Sequence, residues 1–351
     1  MKYFCNKIIN NFSMKASKNF FSALFIICFL NISCNRNNKE TDYGVSISAP
    51  KMIGTSAEVF SEEHISTLKK SNSLNFLLLN NFSSNSDSSY NFSFSPLGVL
   101  HSIYNIKDEN YIELFNEKFD ISDTTFLFNN ILTIKKLISE IDSTIKIGNS
   151  ITTNVSKEIS ISQKLEFPLV YEGILKTRRL TFNVNEKEKK LIEYFTIKGN
   201  FGVCNDKSYL AFDIAIGNGN YSLLLIQPKD IDIKHFSSNL SENDYKTIIE
   251  SLVEQMITVS FPDISNNSVY PLTLPNISSD STYKPKYLSI NSEIKIIKPT
   301  PAELKMRKSN IDNQIQTSSK TEKFIYNNPF IYIIRGKSSN SILAMGIFNN
   351  K

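Results

Sequence analysis

The sequence predicts an α+β fold with helices early in the chain, strands later and a β-hairpin at the C-terminus. Apolar residues recur at helical spacing in the first part of the chain, and they alternate as in strands from Ile145 onward. Residues 58–351 contain no internal repeat and no Pro/Gly-rich linker. We therefore expect these residues to form one domain.

The first 57 residues are expected to direct export and to tether the folded part. Lys15 and Lys18 precede an apolar run over residues 20–30, which is shorter than the roughly 20 residues that a membrane-spanning helix needs. We interpret residues 1–33 as a signal peptide. The residues before Cys34 resemble a bacterial lipobox, which predicts a lipidated Cys34 followed by a flexible tether over residues 34–57. The alternative is an ordinary signal peptide in which Cys34 has no role.

Charge and cysteine content exclude several classes of protein. The net charge is +5, but four lysines fall within the signal peptide, and without them the basic and acidic residues nearly balance. Binding to nucleic acid therefore has no support. Cys204 is the one cysteine that follows the tether, so we expect a small buried side chain, no intrachain disulfide, no metal site and no cofactor.

Two helices and a short strand are predicted in the first part of the domain. The helical spacing of Leu74, Leu77, Leu78 and Phe82 predicts a helix over residues 71–82. Residues 91–96 are typical of a short strand that a proline stops. Residues 107–144 are predicted to be helical.

Strands dominate the prediction from there to the C-terminus. Alternation predicts strands at 145–151 and 180–184. A hairpin is expected where residues 209–216 and 221–226 flank a Gly/Asn-rich turn, because Gly and Asn accept a positive φ. A phosphate-binding loop is excluded at that turn, because a strand follows the glycines where a helix would be required. A helix at 242–255 and a strand at 257–261 complete this region.

The C-terminal segment 324–349 is predicted to form two buried strands around a polar turn, and it resembles the serpin C-terminal signature. The matching features are a Pro-Phe pair, an apolar strand that ends in Arg and a Gly in the last strand; Asn328 departs from the His or Arg that precedes Pro-Phe in the family. Residues 91–99 also resemble a serpin motif, except that Gly98 replaces its second Ser, and residues 197–229 resemble a serpin hairpin region. The residues that carry the signatures are Asn91, Ser95, Pro96, Pro329, Phe330, Arg335 and Gly346.

The resemblance implies a serpin-like fold, in which early helices pack on a large mixed central sheet, and a possible mechanism. Inhibitory serpins trap a protease when it cleaves an exposed loop, which then inserts into the central sheet as a new strand. Counting from the signatures places the hinge of this loop at Pro299, Pro301, Ala302 and Glu303. The bait region falls at Ile315, Gln316, Thr317 and Ser318.

Two departures from the family bear on this mechanism. The hinge contains two prolines and is followed by Lys305, Arg307 and Lys308, which a central strand tolerates poorly. The chain is also short after Asn149, so that a helix across the sheet, and a strand beside the insertion gap, are expected to be missing.

Two functions therefore stay open, and an enzyme is the weakest alternative. The first is inhibition of a serine or cysteine protease; the second is a non-inhibitory serpin-fold lipoprotein that binds a partner or ligand at the cell envelope. Three scattered histidines and no paired carboxylates at a useful spacing leave no catalytic constellation. We expect the protein to be an exported monomer, either held to a bacterial membrane by its lipid anchor or secreted. A target protease is expected as a partner only if the protein is an inhibitor.

Overall fold

A computed structural model describes most of the chain after residue 59. The described residues are 41–43, 60–85, 91–106, 109, 112–113, 116–117, 123–153, 159–169, 175–230, 232–271, 288–298 and 321–349. Apart from Thr41, they belong to one compact unit, Asp42–Lys351.

The described helices precede or interrupt the strands. They are α1 (Glu62–Asn85), α2 (Pro96–Ile106), α3 (Thr124–Ile141), α4 (Ile233–Asn239) and α5 (Glu242–Glu250). Proline at the first position of α2 is favourable, because the N–H that proline lacks has no partner inside a helix there. Asp123 caps α3 by accepting from the Phe126 N–H, and Ser241 and Asp244 form a capping box at α5. Among the described residues, no helix has both the length and the apolar character needed to cross a membrane.

The described strands form a large and a small sheet. Their bounds are β1 (Thr41–Tyr43), β2 (Phe92–Phe94), β3 (Lys146–Thr153), β4 (Ile159–Pro168), β5 (Leu175–Asn183), β6 (Lys189–Asn205), β7 (Tyr209–Ile216), β8 (Tyr221–Pro228), β9 (Val253–Pro262), β10 (Asn266–Pro271), β11 (Leu288–Ile297), β12 (Glu322–Ile325), β13 (Phe330–Gly336) and β14 (Ile342–Phe348).

The large sheet has a continuous path of neighbouring strands in the order β5-β6-β7-β8-β13-β14-β2. Strand β9 also pairs with β6, and β12 pairs with β9. Strands β8, β13 and β14 are buried along their whole length. Such strands have both faces covered, which explains why their sequences are mostly apolar.

The small sheet has the order β10-β11-β4-β3. Strand β11 is antiparallel to β10 and parallel to β4, and β4 is antiparallel to β3. Along β4 and β11, buried residues alternate with more exposed ones, so one face lies on the core and the other faces outward.

Strand β2 joins the two sheets. It pairs with β14 in the large sheet and also contacts β10 and β11 of the small sheet. Helix α1 packs against α2, α3, α4 and β14, while α2 contacts β3, β4 and β14. The helices near the N-terminus therefore contact strands of both sheets, and one apolar core runs through both.

The predicted hairpin is confirmed as β7 and β8. Its turn places Gly217 and Gly219 at positive φ, 62° and 94°. The turn lies against the end of α3, where Asp142 Oδ2 accepts from the Asn218 N–H at 2.6 Å. A Cβ on Gly217 would lie 1.9 Å from Asp142 Oδ2, so this position requires glycine.

Other boundaries differ from the predictions. Helix α1 begins nine residues earlier than predicted. Helix α5 ends at Glu250, and residues 253–255, predicted to be helical, begin β9 instead. In place of one helix over 107–144, the structure has α3 from Thr124 and leaves most of 107–122 outside the described residues. Cys204 is buried, as predicted.

Candidate functional site: the β4–β11 seam

The loop expected to react with a protease leaves the small sheet at the end of β11. The predicted hinge and bait residues lie within 299–320, outside the described residues, as does Cys34. The structure does place the two strands between which such a loop would insert. We call the paired strands β4 and β11 the seam.

The pairing of β4 with β11 indicates what insertion at the seam would change. Strands β4 and β11 are parallel and pair continuously from Leu288 opposite Ile159 to Ile297 opposite Pro168. A chain that turned back from the end of β11 would run antiparallel to both strands. Insertion would therefore replace one parallel pairing by two antiparallel ones, which are slightly more stable per residue.

Both seam strands are present, which corrects one prediction. The expectation that a strand beside the insertion gap is missing is wrong, because β4 and β11 flank it directly. The connection between β3 and β4, residues 154–158, lies outside the described residues. That a helix across the sheet is missing therefore stays a prediction.

The inner face of the seam is apolar except for one polar row. Ile161, Leu165 and Phe167 on β4 are buried opposite isoleucines on β11. Gln163 and Ser292, which face each other across the seam, are also buried. Buried polar groups need hydrogen-bond partners, and these two residues find theirs on or next to β2.

Gln163 binds the backbone of Ser95 through both ends of its amide. The Ser95 N–H donates to Gln163 Oε1 at 2.8 Å, and Gln163 Nε2 donates to the Ser95 carbonyl at 3.0 Å. A Cβ on Gly98 would lie 2.6 Å from Gln163 Nε2. Gly98, which departs from the serpin motif, therefore leaves the space that the Gln163 amide occupies.

Ser93 forms hydrogen bonds with β10 and β11, next to the contact between Gln163 and Ser95. Its hydroxyl donates to Ser292 Oγ on β11 at 2.9 Å and lies 3.2 Å from Ser268 Oγ on β10. The Tyr270 hydroxyl, also on β10, donates to the Ser93 carbonyl at 2.8 Å. Strand β2 and the residue after it thus bind β4, β11 and β10, so any widening of the seam must break buried hydrogen bonds.

The outer face of the seam carries a cluster of four charges. Lys164 Nζ lies 3.1 Å from Glu166 on its own strand and 3.4 Å from Glu293 across the seam, while Lys295 Nζ lies 3.7 Å from Glu166. The hydrogen bond with Glu166 raises the pKa of Lys164, and the same bond lowers the pKa of Glu166. Lys164, Glu293 and Lys295 are exposed and Glu166 is partly buried, so the contribution of these pairs to stability is small. They do hold opposite charges together across the seam.

Lys298, at the start of the loop, is also held in place. Its Nζ lies 3.2 Å from Asp263 and 3.4 Å from Glu193, and 5.4 Å from the centre of the Phe195 ring. Partial burial acts to lower the pKa of Lys298, but the two carboxylates outweigh it and raise the pKa. The base of the loop is therefore fixed to the large sheet at β6 and to the residue that follows β9.

A polar cluster packs against the inner side of β3, next to the seam. Lys135 donates to Asn149 Oδ1, so that Asn149 Nδ2 is the atom that donates to His101 Nδ1 at 2.8 Å. Burial, and to a lesser extent the Lys135 charge, lowers the pKa of His101 from 6.5 to about 4. His101 is therefore a neutral acceptor near neutral pH.

Arg335 of the C-terminal signature forms a buried ion pair. Its Nη2 and Nε donate to Asp213 Oδ2 and Oδ1 at 2.7 and 3.2 Å, and Nη1 donates to Asn340 Oδ1 at 2.8 Å. Asn340 has a φ of 51°, and its carbonyl accepts from Asn72 and Tyr245. The predicted polar turn between β13 and β14 is thus fixed to α1 and α5.

The remaining signature residues have structural roles. A Cβ on Gly346 would lie 2.3 Å from the Phe92 carbonyl, so only glycine lets β14 approach β2 this closely. Phe330 stacks on Phe348 with ring centres 5.2 Å apart. Asn91 Oδ1 accepts from the N–H of Asn349 at 2.6 Å. Pro329 precedes β13 and Pro96 begins α2.

Asn328, the departure in the signature, is satisfied without a charge. Its Oδ1 accepts from Asn183 Nδ2 at 2.9 Å, and its N–H donates to Gln227 Oε1 at 3.4 Å. Neutral amides on β5 and β8 thus take the place of a charged group at this position.

Comparisons with known proteins identify the fold. No family model matches the chain, and no curated protein matches it significantly. Among solved structures, it is similar to the mouse protein Z-dependent protease inhibitor, with a TM-score of 0.59 and 15% identity over 83% of this chain and 100% of that one. It is similar to uncleaved ovalbumin (TM-score 0.61, 13% identity, 82% and 100% covered) and to maspin (0.59, 12%, 82% and 99%). The chain is therefore a serpin-fold protein, and identities this low establish the fold alone.

The polar residues beneath the seam were not predicted from the sequence. Ser93 lies within a recognised motif, but nothing in the sequence shows that its partners are Ser268 and Ser292. The available signal was a serine or glutamine at an inward position of an otherwise apolar, alternating strand, as at Gln163. Such a residue indicates a buried hydrogen bond without identifying its partner.

Proposed function

We propose that this serpin-fold protein presents residues 299–320 to a partner at the cell envelope and does not trap proteases by loop insertion. The observation that carries this proposal is the seam. It is paired along all ten residues of β4, bound from beneath by buried hydrogen bonds and crossed on its outer face by charge pairs. The loop that would have to open it begins with two prolines.

The sequence of the loop opposes insertion on both faces of the sheet. Pro299 and Pro301 have no N–H to donate to a central ladder. If Ala302, Leu304 and Met306 faced inward, the alternating residues Lys305 and Arg307 would face outward. They would then separate the opposite charges of β4 and β11, and they would face lysines as well as glutamates.

A second candidate function is inhibition of a serine or cysteine protease. Two observations favour it: the similarity to a protein named as a protease inhibitor, and the sequence alternation of Ala302, Leu304 and Met306, which would lie on one face of an inserted strand. Both candidates fit a protein without enzymatic activity.

We further propose that Cys34 is lipidated and holds the domain at the envelope through residues 34–57. The support is the apolar run over residues 20–30 followed by Ser33-Cys34. The Cys34→Ala variant is expected to move from the membrane fraction to the soluble fraction. A variant that still sediments with membranes and still incorporates a fatty-acid probe would exclude the anchor.

Exposure to proteases distinguishes the two candidate functions. The full chain is incubated with a panel of serine and cysteine proteases, and the products are separated on a denaturing gel. We expect cleavage within 299–320 and no covalent complex, with an inhibitory serpin as the positive control. A complex with any of these proteases that survives boiling would establish inhibition and exclude our proposal.

A further inference from the structure

Strand β3 lies at an edge of the small sheet. Within the described part of the chain it pairs with β4 along one side, and no described strand pairs with its other side. The short connection over 154–158 leaves no length for another strand between β3 and β4. The unpaired backbone groups of such an edge are a template for a further strand.

The features that protect other sheet edges are absent from β3. Strand β10, at the opposite edge of the small sheet, has six residues and ends in Pro271, and β12 has only four residues. Strand β3 has eight residues, contains no proline and carries a single charge, Lys146, at one end. Long edges without prolines or inward-facing charges favour pairing with another chain.

We propose that β3 pairs with β3 of a second copy of this chain, antiparallel about a two-fold axis at Asn149. This inference does not depend on the proposed function, and it replaces the monomer expected from the sequence. The two four-stranded sheets would join into one continuous sheet across the interface.

The residues of β3 are self-complementary in this register. Ile147 and Ile151 lie symmetrically about Asn149, so that Ile147 of each copy would lie opposite Ile151 of the other. Within the chain, Ile147 pairs with Leu165 and Ile151 with Ile161. The apolar rows of the inner face would therefore continue across the interface. The Gln163–Asn149 row would continue as a row of amides.

The one charge on β3 is compatible with a second copy as the partner. The Lys146 residues would lie at opposite ends of the paired strands, each beside Glu166 of its own chain. Ile147 and Ile151 are only partly buried in one copy, and pairing would cover them further. Lys135, which binds Asn149 Oδ1, carries a charge near the axis and opposes association. Lys135→Gln removes this charge but keeps a donor to Asn149. It is therefore expected to tighten the dimer.

Sedimentation of the full chain over a range of concentrations tests the proposal. We expect a dimer that Ile151→Lys weakens at least tenfold, because the added charge would be buried in the paired strands. The control is Val269→Lys, which adds the same charge to β10 at a position that is 71% exposed. It is expected to leave the dimer unchanged, and thermal melts establish that both variants fold.

Hydrogen exchange provides a second, local measurement. The backbone amides of residues 147–152 are expected to exchange slowly in the dimer and faster in Ile151→Lys. A wild-type chain that is monomeric at every concentration would overturn the proposal. Slow exchange of the β3 amides in such a monomer would indicate that another part of the same chain covers the edge. A dimer that Ile151→Lys and Val269→Lys weaken equally, or not at all, would also overturn it.

Discussion

Arg335 shows how one residue of the signature supports the fold. Its side chain is 4% exposed and is paired with Asp213, which is also buried. A buried ion pair contributes little net stability compared with well-packed apolar residues, but loss of one partner leaves the other as an uncompensated charge. The role of Arg335 is thus to compensate the buried charge of Asp213 and to fix the turn at Asn340.

We predict that Arg335→Met lowers the free energy of unfolding by about 3–5 kcal/mol, because Asp213 is left buried and unpaired. Equilibrium denaturation with urea measures this change. The double variant Asp213→Leu with Arg335→Met is the control, and it should recover most of the loss. A single variant as stable as wild type would show that the ion pair is not formed.

His101 gives a prediction for the dependence of stability on pH. Its pKa in the folded protein, about 4, lies below its ordinary value of 6.5, so protons bind preferentially to the unfolded chain between these values. The contribution of neutral His101 is complete above about pH 6.5 and is lost as the pH falls toward 4. With partial exposure taken into account, the loss is about 1–3 kcal/mol.

Denaturation curves of wild type and His101→Gln at several pH values measure this effect. Glutamine can accept from Asn149 but does not titrate. As the pH falls from 6.5 to 4, the free energy of unfolding of wild type should therefore fall relative to that of His101→Gln, as expected when unfolding takes up one proton. A difference that stays constant over this range would contradict the assignment of His101 as a half-buried neutral acceptor.

At the scale of elements, the contact between β2 and the small sheet determines how firmly the seam is closed. We predict that Gln163→Met lowers the free energy of unfolding by about 1–3 kcal/mol, because it leaves the buried Ser95 N–H without its acceptor and removes one of the two donors to the Ser95 carbonyl, which keeps the Val99 N–H. Urea denaturation measures the change. Ser162→Ala, on the outward face of the same strand, is the matched control, with an expected change within about 0.5 kcal/mol. Equal effects of the two substitutions would contradict the role of Gln163.

The elements predicted well from the sequence are those whose pattern is set by local burial. The hairpin of β7 and β8, helix α1 and the pair β13 and β14 combine apolar patterns with clear turn residues. Helix α2 was not predicted from its residues, because Gly98 and the β-branched Val99 and Ile103 have low helix propensity. It is stabilised by packing against β14 and the small sheet.

Strands β10 and β11 illustrate a different limit of prediction. Ser268 and Ser292 occupy inward positions and interrupt the apolar alternation that identifies a strand. Their burial depends on Ser93, some 175 to 199 residues away. The candidate site was predicted only as a loop position, because the contacts that close the seam are all between distant parts of the chain.

At the scale of the whole molecule, the small sheet of this serpin-fold chain has a closed seam, and its edge strand β3 pairs on one side only within the described residues. Insertion of a cleaved loop would add a central strand and increase stability greatly. The two prolines, the charges that follow them and the contacts on both faces of the seam oppose that step. The central claim is therefore that this protein stays in one form after its loop is cut.

Thermal melting of intact and loop-cleaved protein tests this claim most directly. Brief digestion with trypsin should cut first at Lys305, Arg307, Lys308 or Lys320, and mass spectrometry of the products establishes the site. We predict that the melting temperatures of the intact and cleaved proteins differ by only a few degrees. A rise of tens of degrees after cleavage would show that the loop inserts into the seam, and it would contradict the claim that the protein keeps one form.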